Sequence, residues 1–378
     1  MLKIPESTLV SIGHDAESRR PEIEADMNLP PDLVNRLKSS GLLRLWVSER
    51  DGGSQSDLKS LTQAVQTLAY YEGSISWVGM VTGTASLISG YLDADSGEKI
   101  FGRSDAMVGG WAAPAGRAKR VDGGLIVSGR WGWGSGTTHC TTVSGGVMIA
   151  PSEPDGKPMS GLAMFAPKDV HWHDNWQVNG LHGTASGDYE VADLFVPDNH
   201  WISFPVTKPV VDAPLYRLSF FGALAAGVAS VGLGLAQRAL DEIKQLGLTK
   251  KPAMARKTLS EKEIVRYQLA ETESRYLAAA AFLEQAIDQN WSEAQQGTPS
   301  VKAKGQLRMA ATHAVKESAI VVDWAYKIGG GSTIWDGVKL QELQRDMSIV
   351  TQHGLIAPSN FELLGKVSFG LPVNELVI

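Results

Sequence analysis

A short stretch near the C-terminal end, residues 344–354, contains the side chains that are easiest to assign to chemistry. Its spacing predicts a helix from Leu340 to His353 that Gly354 ends, with Asp346, Val350 and His353 on one face. An imidazole, whose ordinary pKa is about 6.5, can move a proton close to neutral pH. His353 is therefore either a cap at a helix C-terminus or an acid/base group beside a buried organic cofactor.

Two loops of small and hydroxylic residues could hold a planar ligand. The first, residues Trp131–Gly136, is called the Trp loop here. It offers tryptophan faces, Trp133 among them, next to the hydroxyl of Ser135. The second begins at Gly180 and offers the hydroxyls of Thr184 and Ser186, with backbone N–H groups, to an electronegative ring edge or a phosphate. Each loop could equally be a bulge or a turn between strands.

A glycine-rich segment, Gly329–Thr333, follows a predicted helix. Gly330 and Gly331 could end that helix or let a phosphate approach bare backbone. The segment is not a P-loop, because no Lys-Ser/Thr pair follows it, and no strand–GxGxxG–helix unit occurs in the chain. We therefore expect no resident nicotinamide site.

The histidines form no recognisable metal-binding motif. His171 and His173 would share one face of a strand, but no third ligand lies near them in the sequence, so we predict no metal site. The chain also lacks a GxSxG motif, which argues against a serine hydrolase.

The composition is that of a globular protein with a large core: 378 residues, 43% hydrophobic and 20% charged. A net charge of −6 argues against nucleic acid as a partner. The single cysteine, Cys140, excludes an internal disulfide and is typical of a reducing cytoplasm. The first 27 residues lack the apolar core of a signal peptide, and the most apolar run, 220–236, is shorter than the roughly 20 residues of a membrane span. We expect a cytoplasmic protein that does not bind membranes.

The patterns predict an α+β protein of three domains. Residues 1–105 have helical periodicity, 106–210 have short alternating runs separated by turns and form a β-barrel or sandwich, and 211–378 form a four-helix bundle. The bundle helices are expected at Phe220–Leu246, Ser260–Asn290, Ser300–Ile328 and Leu340–His353, the second opened by a capping box of Ser260 and Glu263.

This succession resembles the acyl-CoA dehydrogenase fold over nearly the whole chain. The resemblance includes the Glu49–Gly53 turn, the loop that begins at Gly180, and the helix with Arg345-Asp346. Gln352-His353-Gly354, however, stands where dehydrogenases have a turn with a catalytic glutamate. That turn, with Pro-Ala-Gly-Arg-Ala from Pro114 onward, resembles instead the flavin-dependent monooxygenases built on this fold, the oxygenase halves of two-component systems.

The second resemblance implies the cofactors and the chemistry. Reduced flavin (FAD or FMN) would bind between the β domain and the bundle and react with O₂ to a C4a-hydroperoxide, which hydroxylates or epoxidises a small aromatic substrate. In that group the histidine of the QH turn is a catalytic acid/base and the serine of the Trp loop lies beside the flavin. These positions are His353 and Ser135 here. Trp133, Ser135, Thr184 and Ser186 are the expected flavin contacts.

The resemblance also implies partners and a substrate class. A separate NAD(P)H-dependent flavin reductase must supply the electrons, and the family is usually a homotetramer packed through the bundle. Gly330, Gly331 and Arg345 could then reach the tail of a neighbouring subunit's flavin. Many relatives have a further active-site histidine after a GWV run. No histidine follows the corresponding run at Trp77 here, so indole or a derivative is favoured as substrate and phenol stays possible. The substrate pocket is expected to include the aromatic residues Trp77, Trp111 and Phe221.

Two other functions are compatible with the sequence. An acyl-CoA dehydrogenase would need a carboxylate base at the flavin, for which Glu362 is the candidate after the histidine turn. A flavin-free binding or scaffold protein on the same fold would show no flavin affinity.

Overall fold

The computed structural model describes residues 4–151, 153, 155–205 and 208–378. Residues 1–3 of the predicted first domain lie outside that range. The described chain begins with six helices, continues through a seven-stranded sheet and ends in a helical bundle, so the predicted α+β succession is confirmed. The domain limits at 105 and 210 stay predictions.

The N-terminal helices surround α5, the helix that carries Trp77. Pro31 opens α3, as its fixed φ allows at the first turn, and the Glu72 carboxylate accepts the N–H of Ile75 to cap α5 at 2.8 Å. Val65 and Leu68 of α4 pack in the same buried core. The six helices are α1 (Glu6–Ser18), α2 (Arg20–Asp26), α3 (Pro31–Ser39), α4 (Leu58–Tyr71), α5 (Gly73–Ala85) and α6 (Ala94–Phe101).

The central sheet has the strand order β5-β6-β2-β1-β3-β4-β7 and is antiparallel except where β1 runs parallel to β3. The register of β1 against β3 shifts between Trp111 and Gly116, a bulge that lies next to the Trp loop described below. The strands are β1 (Val108–Val121), β2 (Gly124–Trp131), β3 (Thr142–Ile149), β4 (Met159–Phe165), β5 (His171–Trp172), β6 (Tyr189–Pro197) and β7 (Trp201–Ser203).

Small residues along the first bundle helix allow close helix packing. At Gly234 a Cβ would lie 2.4 Å from the carbonyl oxygen of Gln66 on α4, so only glycine fits this contact. The C-terminal helices are α7 (Phe220–Thr249), α8 (Glu263–Gln296), α9 (Val301–Gly329), α10 (Lys339–Val350) and α11 (Asn360–Ser368).

By length and composition, α7 is the one described helix that could cross a membrane, but 78% of its most apolar window is buried within the protein. Burial of that kind is what a core helix shows, so the helix is weak evidence for a membrane span.

Several predicted helix ends are wrong, and α7 and α8 continue to Thr249 and Gln296 instead of ending at Leu246 and Asn290. α8 begins at Glu263 after Lys262, and the Ser260 hydroxyl pairs with Thr258 instead of capping the helix, so the capping box does not form. α10 ends at Val350, because the next two N–H groups, of Gln352 and His353, bond three residues back and tighten the chain out of the α-helix. His353 therefore lies beyond α10, not on its face.

Candidate active site

A buried ion cluster joins the three parts of the chain behind the site. Arg20 of α2 donates two hydrogen bonds to Asp346 of α10, at 2.8 and 3.0 Å, although the two are 326 residues apart. Asp346 also accepts the backbone N–H of Leu181 at 2.8 Å. The cluster thus fixes the loop that begins at Gly180 against both the bundle and the N-terminal helices.

The same cluster reaches α5 through Glu72. Its carboxylate lies 3.5 Å from Arg20, and burial raises the pKa of this carboxyl above its usual value. Burial opposes the charge of Arg20, but Asp346 and Glu72 raise the guanidinium pKa well above normal. Arg20 is therefore charged at every accessible pH, and it neutralises carboxylates on α5 and α10 at once.

The two predicted ligand loops lie against each other. The N–H of Gly136 donates to the carbonyl of Thr184 at 2.8 Å, and the N–H of Gly134 donates to the carbonyl of Gly187 at 3.0 Å. Three non-glycine residues in these loops have left-handed backbone: Trp133 (φ 55°), Leu181 (φ 50°) and Ala185 (φ 44°). Such strained conformations concentrate at functional sites, where the surrounding structure holds them.

A chain of side-chain hydrogen bonds with one direction links the loops. Thr184 donates to the carbonyl of Leu181 at 2.8 Å, so Ser186 must donate to Thr184 (2.7 Å) and Ser135 must donate to Ser186 (2.6 Å). The indole N–H of Trp77 donates to Ser135 at 3.2 Å. All three hydroxyl hydrogens are thus used inside the protein. Ser135, Thr184 and Ser186 meet as predicted, but toward a ligand they offer acceptor lone pairs instead of donors.

His353 lies beside Trp77, with ring centroids 5.7 Å apart in an edge-on arrangement. Its Nδ1 accepts the N–H of Leu355 at 3.3 Å, so in the neutral ring Nε2 carries the proton. Within the described residues, Nε2 has no hydrogen-bond partner. The imidazole therefore presents an N–H donor to the space around Trp77.

Burial, together with the positive charge of Arg308, lowers the pKa of His353 to about 4. Arg308 is itself buried on α9 and donates to the carbonyl of Leu355 at 3.2 Å and to Asn360 at 3.0 Å. The ordinary pKa assumed from the sequence is therefore wrong for this histidine, which is neutral at pH 7.

The two tryptophans of the Trp loop have different roles. Trp131 is fully buried, donates to the carbonyl of Gly146 at 2.8 Å and stacks on Tyr189, so the interpretation of it as a ligand face is wrong. Trp133 is 64% exposed, and its ring lies 5.1 Å from that of Trp111. Trp133 is thus the free aromatic surface at the mouth of the loop pair.

The third predicted substrate residue lies in a different aromatic cluster. Phe221, at the start of α7, packs edge-on against Phe204 and Phe220 and lines a cavity of about 310 Å³. Trp77 and Trp111 are not among the residues that line this cavity. The grouping of Phe221 with the two tryptophans stays a prediction.

The residues expected at the flavin tail occupy the surface near α10. Gly330 and Gly331 are exposed, next to the exposed Ile334 and Trp335. Arg345 is partly buried and donates to Glu24 of the same chain at 2.9 Å. To bind a neighbouring subunit's flavin, Arg345 would have to keep Glu24 as one of two partners or give it up.

The candidate base of the rival dehydrogenase is poorly placed for catalysis. The Glu362 side chain, on α11, is 79% exposed and lies 3.5 Å from Lys366. An exposed, paired carboxylate is a poor match for a base that must act in a water-free site.

Two residues of the site, Arg20 and Arg308, are not identified from the sequence. Trp77 is predicted as a substrate residue, but its indole N–H bond to Ser135 is not. A signal existed for Arg308, since it interrupts the apolar face of α9 between Leu307 and Ala311.

Comparison with known proteins gives a consistent set of relatives. Residues 226–358 match the family described as "Acyl-CoA dehydrogenase, C-terminal domain". The chain is 27% identical to indole-3-acetate monooxygenase of Pseudomonas putida, over 93% of this chain and 90% of that protein. It is also 27% identical to the flavin-dependent monooxygenase oxygenase subunit HsaA of Rhodococcus jostii, over 95% and 97%. Among solved structures, XiaF from a Streptomyces species, in complex with FADH2 and glycerol, superimposes with a TM-score of 0.89 at 23% identity, covering 97% of this chain and 96% of that one.

Proposed function

We infer that this chain, a flavin-dependent monooxygenase of the acyl-CoA dehydrogenase fold, is the oxygenase component of a two-component system and acts on a small aromatic substrate, with indole or an indole derivative favoured. It uses reduced flavin and O₂. The observation that carries the proposal is the meeting of the Ser135–Ser186–Thr184 hydroxyl chain and His353 at Trp77, with the exposed ring of Trp133 two residues before Ser135.

The residues present fit a flavin. The exposed ring of Trp133 offers a stacking surface for a planar heterocycle, and the strained backbone of both loops holds that surface in place. Ser135 keeps an acceptor lone pair, which suits the N–H groups of a reduced flavin ring. When bound, reduced flavin supplies the two electrons that reduce one oxygen atom of O₂ to water while the other enters the substrate.

The protein's own groups set the proton positions. His353 holds a proton on Nε2 and can donate a hydrogen bond there, and its low pKa keeps the ring uncharged. To act as a base through Nε2, the ring would have to change tautomer and give up the bond from Leu355. Hydrogen-bond donation is thus the role that the geometry supports best.

The aromatic surfaces of the site and the absence of a base beside them favour indoles over phenols. Trp77 is a large apolar surface bonded to the hydroxyl chain, and Trp111 lies against Trp133. The neutral His353 is not set to deprotonate a phenol. Indoles need no such deprotonation, because their ring carbons are already nucleophilic. The similarity to an indole-3-acetate monooxygenase supports the same choice.

The function is tested by supplying chemically or enzymatically reduced FAD or FMN, O₂ and a panel of indoles and phenols, and analysing products by mass spectrometry. We expect oxygenated indoles, with less conversion of phenols, and no oxidation of NADH by the purified chain without a reductase. Phenol products alone would overturn the substrate class. Substantial NADH oxidation by the chain alone would contradict the two-component assignment, and bleaching of oxidised flavin by acyl-CoA thioesters would favour a dehydrogenase.

A homotetramer packed through the bundle is part of the proposal. Large apolar side chains are exposed on α8 and on the loop before α10: Ile264, Tyr267, Leu277, Ile334 and Trp335. Such surfaces typically mark interfaces between subunits. Light scattering after size exclusion should give about four times the chain mass of 40.6 kDa, and the double change Tyr267→Glu and Leu277→Glu should lower it. A monomeric wild-type protein would contradict this part of the proposal.

A further inference from the structure

The strand pair at the β5 edge of the sheet brings together two histidines and a carboxylate. His171 and Glu190 are direct cross-strand partners of β5 and β6, and His173 follows two residues after His171. Because side chains alternate along a strand, the two imidazoles lie on one side, and their ring centroids are 4.8 Å apart. No third ligand is recognisable from the sequence, because Glu190 is close to the histidines in space but not along the chain.

The spacing of the three groups is that of a metal site. His173 Nε2 lies 3.0 Å from a carboxylate oxygen of Glu190, and the candidate ligand atoms of all three residues lie within 4.8 Å of one another. Ligand atoms ~2.1 Å from a tetrahedral zinc ion are about 3.4 Å apart, so small side-chain rotations would complete the set. We propose that His171, His173 and Glu190 bind a divalent transition-metal ion of the Zn²⁺ class, with water as the fourth ligand.

An ordinary ion pair explains the cluster less well. His173 Nε2 is shielded from solvent, and among the described residues it has no partner in hydrogen-bond geometry despite the nearby carboxylate. A metal ion would coordinate the Nε2 lone pair of His173, which forms no hydrogen bond with Glu190. Two imidazoles and one carboxylate favour Zn²⁺, Ni²⁺ or Cu²⁺ over Mg²⁺ or Ca²⁺, which prefer all-oxygen sites.

The surrounding bonds hold the ligands in position and connect the site to the ligand loops. Trp172, on the opposite side of β5, donates from Nε1 to Thr137 at 3.2 Å. The N–H of His173 donates to the carbonyl of Asp188 at 2.8 Å, two residues after Ser186. A bound ion would therefore fasten the short strand β5 to β6 and brace the end of the loop that carries Thr184 and Ser186. Its role is structural, outside the oxygenation chemistry.

The test measures metal binding directly. Protein stripped with EDTA and dialysed should bind one Zn²⁺ per chain in a calorimetric titration, and Co²⁺ should give the intense visible bands of a tetrahedral site. His173→Ala and Glu190→Gln should each weaken binding at least ~10-fold, the lower bound set by the loss of an outer-shell partner. Zn²⁺ should raise the Tm of the wild type but not of His173→Ala.

The matched control is His313→Ala. His313 lies on α9 with Glu317 at 4.0 Å, and no third histidine, cysteine or acidic residue joins this pair among the described residues, so its removal should leave Zn²⁺ binding unchanged. Circular dichroism checks that each variant is folded. Equal Zn²⁺ affinity in wild type and His173→Ala, or a Co²⁺ spectrum with only weak octahedral bands, would overturn the proposal whether or not the oxygenase assignment holds.

Discussion

Replacing His353 with alanine is expected to lower the rate of substrate oxygenation by roughly 10²- to 10³-fold, the range typical of removing one positioned hydrogen-bond donor. The variant loses the Nε2 donor beside Trp77 and opens a space that water can enter. Product formation and peroxide release per reduced flavin are measured together. We expect oxygen consumption to continue as peroxide while product falls. Product formation at the wild-type rate would show that His353 has no role.

A conservative variant separates donation from proton transfer. His353→Gln keeps an N–H donor without a titrating group, so it should retain far more activity than alanine if donation is the role. Because the pKa of His353 is lowered to about 4, the neutral ring is the form present above that pH. The wild-type pH–rate profile should therefore show no His353 transition near 6.5 and should fall only as the pH drops toward 4. A transition near 6.5 that disappears in His353→Gln would contradict the neutral, half-buried imidazole. His313→Ala serves as the surface control.

Replacing Arg20 with methionine is expected to lower the free energy of unfolding by about 3–5 kcal/mol, the usual cost of leaving a buried ion pair without one partner. Methionine keeps most of the hydrocarbon volume, so the lost charge dominates. Asp346 and Glu72, both nearly inaccessible to solvent, would lose the cation that bridges them. Urea denaturation at fixed protein concentration measures the change, since assembly also contributes to apparent stability.

The pH dependence of this loss has a definite sign. Without Arg20, burial keeps the folded-state pKa of the Glu72 carboxyl above its unfolded value, so the folded variant takes up a proton more readily than the unfolded chain as the pH falls. The difference in the free energy of unfolding between wild type and Arg20→Met should therefore be largest at neutral pH and become smaller toward pH 5. Lys327→Met, which removes an exposed pair with Asp323, should cost no more than about 1 kcal/mol. A similar small cost for Arg20→Met would refute the anchoring role, and Arg20→Met with Asp346→Leu should recover part of the loss.

The fold could be predicted because its elements are long and strongly patterned. The bundle helices have periodicities that burial then satisfies, and turn signals separate the short strand runs, so the existence of these elements and their order along the chain follow from local sequence. Strands β3 and β4 are buried at nearly every position instead of at alternate ones. Helix ends depend on single hydrogen bonds, which periodicity does not report. This is why α10 ends three residues before the predicted position and leaves His353 in the following turn.

The loops of the candidate site could be predicted from the sequence, but its hydrogen bonds and ion pairs could not. The glycine and hydroxyl patterns identified both loops that meet. The direction of the hydroxyl chain depends on one carbonyl, that of Leu181, whose position requires the folded backbone. Arg20 and Asp346 meet across 326 residues, and Glu190 joins His171 and His173 through strand pairing. Contacts of this kind follow from topology, which no local pattern encodes.

The one-way hydroxyl chain also constrains where protons can travel. The chain ends at a peptide carbonyl, which does not take up and release protons at ordinary pH. These hydroxyls therefore cannot conduct protons to bulk water. A proton that enters or leaves during turnover therefore bypasses these hydroxyls, and the solvent isotope effect on turnover should be unchanged in Thr184→Val.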